Sequence, residues 1–329
     1  MRLLSLTALP LALCACATDA QTVPSDTVTG TMFVANKRGA SLSRIDLATG
    51  AETHRADTCE NPHELAVSPD AEYVMVACYS GSSVEIYAAA DLAPVRVIEL
   101  GEGARVHSAV WHPGGRVHAG AEGLGSVFAM DEPLDPEARI LEIPGPAPGP
   151  HLLAVNARDS QAWGTIIPTG EVVRWHVLMY EEEARRTLGG EPEAIALSPD
   201  DTALWVGSNA QDVVWRLDPQ TLETVAEIPV GDTPIRIAAH PSGDWVVTSN
   251  FGSGDLSVID TATNQVVRTI AVSGSREAVQ VTLVFSPDGT RLYAAETATD
   301  TIAEVDFASG EVLRRIPTGP GGDGLAIID

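Results

Sequence analysis

Lysine occurs once in this 329-residue chain, at Lys37, and 20 basic residues stand against 45 acidic ones, a formal net charge of -25. Such a surface repels phosphate backbones, which excludes nucleic acid as a partner. The acidity itself speaks to solubility, or to the habit of a high-salt or high-GC organism, more than to mechanism. No nucleophile elbow, P-loop, dinucleotide fingerprint or helical zinc motif is present. The absence of Cys-x-x-Cys-His excludes covalent haem attachment. The one extended apolar run, Leu3 to Leu13, is too short to span a bilayer.

What the chain does have is a period. "NPHELAVSPD", "RVHSAVWHPG", "GPHLLAVNAR", "EPEAIALSPD", "TPIRIAAHPS" and "VQVTLVFSPD" recur with turn residues Ser68, His112, Asn156, Ser198, His240 and Ser286, spaced by 44, 44, 42, 42 and 46 residues. Repeats of this length built from short alternating strands mark a β-propeller, one blade per repeat. Each unit reads as an apolar strand, a Pro/Asp turn, a second apolar strand, a polar loop, an alternating strand and an outer strand, four antiparallel strands in all. The 29 glycines and 22 prolines suit a chain of many tight turns. Seven second strands begin near Met32, Tyr73, Val117, Ala162, Ala203, Trp245 and Arg291. The C-terminal Gly322 to Asp329 is a first strand with no successor, and the N-terminal region opens on a second strand with no predecessor. Pairing the two closes a seven-bladed ring over 31–329, all-β and without open edges.

Segments such as "ALWVGSN", "WVVTSN…LSVIDTATNQVVRTI" and "FSPDGTRLYAAETATDTIAEVD" resemble the bacterial YVTN-type β-propeller repeat family over nearly all of Met32 to Asp329. That resemblance implies the fold and not an activity, because these scaffolds host many. The Pro-His step before the first strand also resembles the seven-bladed lactonase family, whose best-known members hydrolyse 6-phosphogluconolactone. This chain lacks the basic residues a phosphorylated sugar favours.

The N-terminus reads as a signal peptide over 1–15 followed by a linker over 16–30. Leu13-Cys14-Ala15-Cys16 resembles a bacterial lipobox, which implies a lipidated Cys16 and an envelope lipoprotein. Cleavage after Ala17, releasing a soluble periplasmic protein, is the alternative. The only membrane contact expected is that lipid anchor. Cys59 and Cys78 flank one hairpin at its open end, in a compartment that permits disulfides. Free thiols or soft metal ligands are the other options for the pair.

Aligned on the turns, the positions at the channel mouth are His63, His107, His151, Glu193, Ile235 and Val281, with Asp323 from the closing strand. Three imidazoles on adjacent blades, with two acids on the same rim, suit a divalent transition metal such as Zn, Cu, Fe or Ni. The competing reading is three histidines that lock loops by bonding a neighbour's backbone. The loop after each second strand adds Asn36, Lys37, Arg38, Tyr79, Glu122, Asn209, Asn250 and Glu296 to this rim, and Arg236, one step past Ile235, is placed to supply a positive charge opposite the histidines. His112 and His240 sit in turns at the opposite face, while His54, His118 and His176 lie within strands. The function expected is a binding or scaffold protein with a small ligand or a protein partner on the mouth face. The alternative is a metal-assisted lactonase- or lyase-like enzyme, with a histidine or the metal polarising a carbonyl. A purely structural protein is the third reading.

Overall fold

The computed structural model describes residues 29–329, so the signal, Cys16 and all but the last two residues of the linker lie outside the described residues. Among the described residues twenty-eight strands, β1 to β28 in chain order, form seven four-stranded antiparallel sheets. The innermost strands are β4 (Pro62–Val67), β8 (Val106–Trp111), β12 (Leu153–Val155), β16 (Pro192–Leu197), β20 (Pro234–Ala239), β24 (Gln280–Phe285) and β28 (Gly322–Ile328). The last completes the first blade by pairing with β1 (Thr31–Asn36), from Thr31 opposite Ile328 to Asn36 opposite Gly322. Among the described residues no helix is long and apolar enough to cross a membrane.

The second strand of each blade is buried on both sides, which is why it reads as an unbroken apolar run. In β5 (Tyr73–Cys78), Met75 and Ala77 pack toward the next blade while Val74 and Val76 pack toward the previous one. Seven apolar clusters built this way fill the seven gaps between neighbouring blades. Trp163, Trp175 and Trp205 are the largest fully buried side chains among them.

Cys59 and Cys78 form a disulfide with a Cα–Cα distance of 5.8 Å and a sequence separation of 19. Soft metal ligation by the pair is thereby excluded. The bond ties the approach to His63 to the strand end that precedes Tyr79. Replacing both cysteines by alanine should cost about 3 kcal/mol in the chain-entropy account of a loop this size. Paired urea unfolding curves measure this; an unchanged midpoint would show that the blade holds without the link.

Candidate functional site

A common backbone feature builds the channel mouth. In β4, β8, β16, β20, β24 and β28 the ladder register shifts at the second or third residue of the strand. A bulge there breaks the strict alternation of side chains and re-aims the extra residue. Two residues before His63, His107, Glu193, Ile235 and Val281, the residues Asn61, Arg105, Glu191, Thr233 and Val279 hold left-handed φ values of 50 to 59°. For a β-branched residue such as Val279 this is a true outlier, the sort of strain that clusters at functional loops. The carbonyls of these five residues accept the backbone N–H of Tyr79, Glu122, Asn209, Phe251 and Thr297 in turn. Each inner strand is thus laced to the loop that supplies its rim residue.

The three histidines lie side by side. The His63 and His107 ring centroids are 3.9 Å apart and those of His107 and His151 are 3.6 Å apart, with the planes tilted by 41° and 35°. Tyr79 stands edge-on to His63 and His107. Lys37 donates to His63 Nε2 at 2.8 Å and lies 3.1 Å from Asp323 Oδ2. Nδ1 of His63 is 3.5 Å from Glu64 Oε1 and 3.6 Å from Asp323 Oδ2. At the other end of the row His151 Nε2 is 3.3 Å from Glu193 Oε1, and its Nδ1 is 3.9 Å from Glu122 Oε2.

Arg236 ties the ring together from the sixth blade. It donates to Glu64 on the second blade and to Glu193 on the fifth, both at 2.9 Å. It is 6% exposed and therefore part of the channel wall, not a loose rim charge. Its bulge places it inward where simple alignment selected Ile235. Glu64, its partner in the channel wall, is not among the residues the sequence pattern points to.

Several expected rim residues lie elsewhere. Arg38 is half exposed and pairs with Asp300 at 2.6 Å, away from the histidines. Asn36 and Asn250 are fully buried within their own blades, bonded to Ser43 and Ser257, because short amides at a strand end reach the neighbouring strand first. Glu296 is likewise buried and held by Arg315. Arg105 joins the rim instead, donating to the Tyr79 hydroxyl and lying 3.6 Å from Glu122. At the far face His112 and His240 contact the carbonyls of Asn156 and Gly289 on the next blades, and His118 binds Asp159 at 2.6 Å.

The electrostatics differ along the row. Burial, followed by the flanking His63 and His151 rings, holds His107 well below the ordinary imidazole range. Burial also lowers His63. Burial opposes the charged form of His151 as well, but the Glu122 and Glu193 carboxylates outweigh it and raise its pKa. A neutral imidazole thus stands against one that favours the proton. For Glu193, burial works against ionisation, yet His151 and Arg236 prevail and bring the carboxyl down from 4.5 to about 2. A folded-state pKa below the unfolded one adds stability above the unfolded value that disappears as pH falls from about 4.5 toward 2. Complete loss amounts to about 3 kcal/mol. Glu193→Gln should therefore show a shallower fall in urea midpoint between about pH 6 and pH 2.5 than the parent. Parallel slopes would contradict the assignment.

Two groups of metal-ligating side chains occur among the described residues. Cys59, Cys78 and Glu85 form one, spent on the disulfide. The other is His63, Glu64 and His107, whose donor atoms all lie within 4.8 Å of one another.

No family model and no curated protein matches this chain. Among solved structures, a functionally unknown protein from Desulfotomaculum acetoxidans superposes with a TM-score of 0.73 at 13% identity, covering 91% of this chain and 99% of that one. The dihydro-heme d1 dehydrogenase NirN, in complex with DHE, superposes with a TM-score of 0.63 at 15% identity, covering 91% of this chain and 75% of that one. At such identities the likeness speaks to architecture alone, and the architecture is a seven-bladed β-propeller.

Proposed function

We propose that this chain is an exported, lipid-anchored β-propeller of the YVTN repeat type that binds a small ligand or metal at the histidine-bearing mouth of its channel. The observation that carries the reading is a concentration of buried polar atoms with no hydrogen-bond partner. His63 Nδ1, His107 Nδ1, His151 Nδ1, Glu122 Oε2, Asn209 Oδ1 and Arg236 Nε all belong to this one region. Leaving such an atom unsatisfied costs about 1–3 kcal/mol, so a group of them calls for something to complete it. Loop locking does not account for His107, whose buried Nδ1 bonds nothing. The similar propeller NirN is found in complex with DHE, so a ligand-bearing role has a precedent in the fold. Export and anchoring rest on the N-terminal segment and on a disulfide suited to an oxidising compartment.

Native mass spectrometry of the periplasmically expressed protein, with a thermal-shift panel of metals and small acids, tests the seat. The parent should retain or take up one ligand, and His107→Ala should weaken it at least tenfold. Identical behaviour of the two across the whole panel would overturn the reading, and an intact mass without lipid on Cys16 would overturn the anchor.

A metal-assisted, lactonase- or lyase-like enzyme is the second reading. It is favoured by the adjacency of a carboxylate-held His151 and a neutral His107, which offers a proton donor beside an acceptor. Turnover on a lactone panel that disappears in His151→Ala distinguishes it from simple binding.

A further inference from the structure

We infer that the mouth holds one divalent transition metal on His63, Glu64 and His107, with His151, Glu193 and Asp323 outside the coordination shell. The inference rests on the mouth being a ligand seat and names both the ligand and its donors.

Sequence alone favours three imidazoles from three blades, but the geometry selects a different set. His63 and Glu64 are consecutive, and in a regular strand their side chains would leave opposite faces. The register shift between Pro62 and Leu65 removes that alternation and lets both donors serve one point. His107 arrives from the next blade, 1% exposed and with Nδ1 unpartnered. His151 is turned otherwise. It meets His107 through its ring, and its two nitrogens are directed at Glu193 and Glu122. No His151 nitrogen joins the group of donor atoms that lie within 4.8 Å of one another, so His151 acts as a positioning residue for His107.

Two cations now occupy donors of the proposed set, Lys37 on His63 and Arg236 on Glu64. Each has a second acid within reach. Lys37 keeps Asp323 at 3.1 Å, and Arg236 keeps Glu193 at 2.9 Å. A metal can therefore displace both without leaving a cation unpaired. In the absence of metal the same two cations keep Glu64 and His63 from standing unpaired in the channel wall. Two neutral imidazoles and one carboxylate suit zinc or ferrous iron, and three protein ligands leave open positions for water or substrate, as in catalytic and not structural sites.

The test uses the whole mature chain, stripped with chelator and titrated with Zn2+ by calorimetry and with Co2+ by visible absorption. The parent should bind one equivalent of each. Glu64→Gln keeps the shape and can still accept from Arg236, yet it should lose more affinity than the roughly 10–100-fold that an outer-shell partner costs. His151→Ala and Glu193→Gln should stay within that outer-shell range and leave the cobalt spectrum unchanged, while His107→Ala should change it. Thermal unfolding of each stripped variant separates lost ligation from lost fold. If Glu64→Gln binds like the parent while His151→Ala does not, the three-histidine centre is correct and this one is wrong, although the seat remains. If the folded parent takes up neither metal, the metal is overturned, and the small-acid arm of the panel still decides whether the mouth is a seat.

Discussion

Arg236→Ala is expected to destabilise the apo protein by about 3–5 kcal/mol, the range for removing one partner of a buried ion pair. The guanidinium is 6% exposed and bridges two carboxylates that come from blades three apart in the ring. Its removal takes from Glu64 its cation and leaves Glu193 to His151 and Asn209 alone, and both carboxyls are held at about 2 in part by the lost charge. Coulomb attraction in a partly dehydrated channel is what offsets the desolvation of both acids. Once the cation is lost, the carboxylates must protonate or admit water, so the deficit should shrink as pH falls. Arg236→Lys should recover only part of it, because one ammonium cannot reproduce a planar two-armed donor. Combining Arg236→Met with Glu64→Gln and Glu193→Gln should recover most of it, since no buried charge then lacks a partner. Urea unfolding at two pH values is the measurement. A single-mutant loss below about 1 kcal/mol, of the size seen for surface pairs, would show that the channel is wet at this level.

The architecture was legible because a propeller imposes one period on its whole chain. Spacings of 42 to 46 residues fix blade number, and two orphan half-units at the ends imply closure. The adjacency of His63, His107 and His151 followed from the same period. Arg236 was legible as a charge one step past Ile235, but Glu64 escaped because alternation assigns neighbours in a strand to opposite sides, and the register shift at Pro62 suspends that rule, as the one at Pro234 does for Arg236. The residues that make the shift leave little trace in composition. Asn61 is a natural occupant of the left-handed region, but Arg105, Glu191, Thr233 and Val279 hold the same conformation without any local preference for it. Tertiary lacing to the next loop, not propensity, keeps them there. A copy-by-copy comparison that allows one inserted residue per inner strand brings Glu64 inward beside Arg236. Asn36, Asn250 and Glu296 were misplaced for a related reason: their backbone sits at the rim, but nearby hydroxyls or an arginine capture their side chains within the blade.

Deleting the final strand should have the largest effect of any change considered. Gly322–Ile328 is the innermost strand of the first blade, and it is paired only with β1. Without it the ladder partner of Thr31–Asn36 is lost, and a buried six-residue strand gains an open edge, a template for association. Leu325 and Ala326 leave the clusters between the first blade and its two neighbours, removing apolar contact on both sides of the seam. Asp323 leaves Lys37 without its carboxylate. Because each blade is held by its neighbours, an open seam frees two flanks at once, and the ring loses the closure that makes its unfolding cooperative. A chain ending at Pro320 should therefore be recovered mainly as aggregate, or should unfold in a broad transition with a reduced m-value. Moving 321–329 to a position before Thr31, joined by a short turn, restores every lost contact with ordinary connectivity. That permuted chain should regain a single sharp transition near the parent midpoint. If the truncated chain instead unfolds as sharply as the parent at a similar midpoint, closure contributes little and six and three-quarter blades suffice.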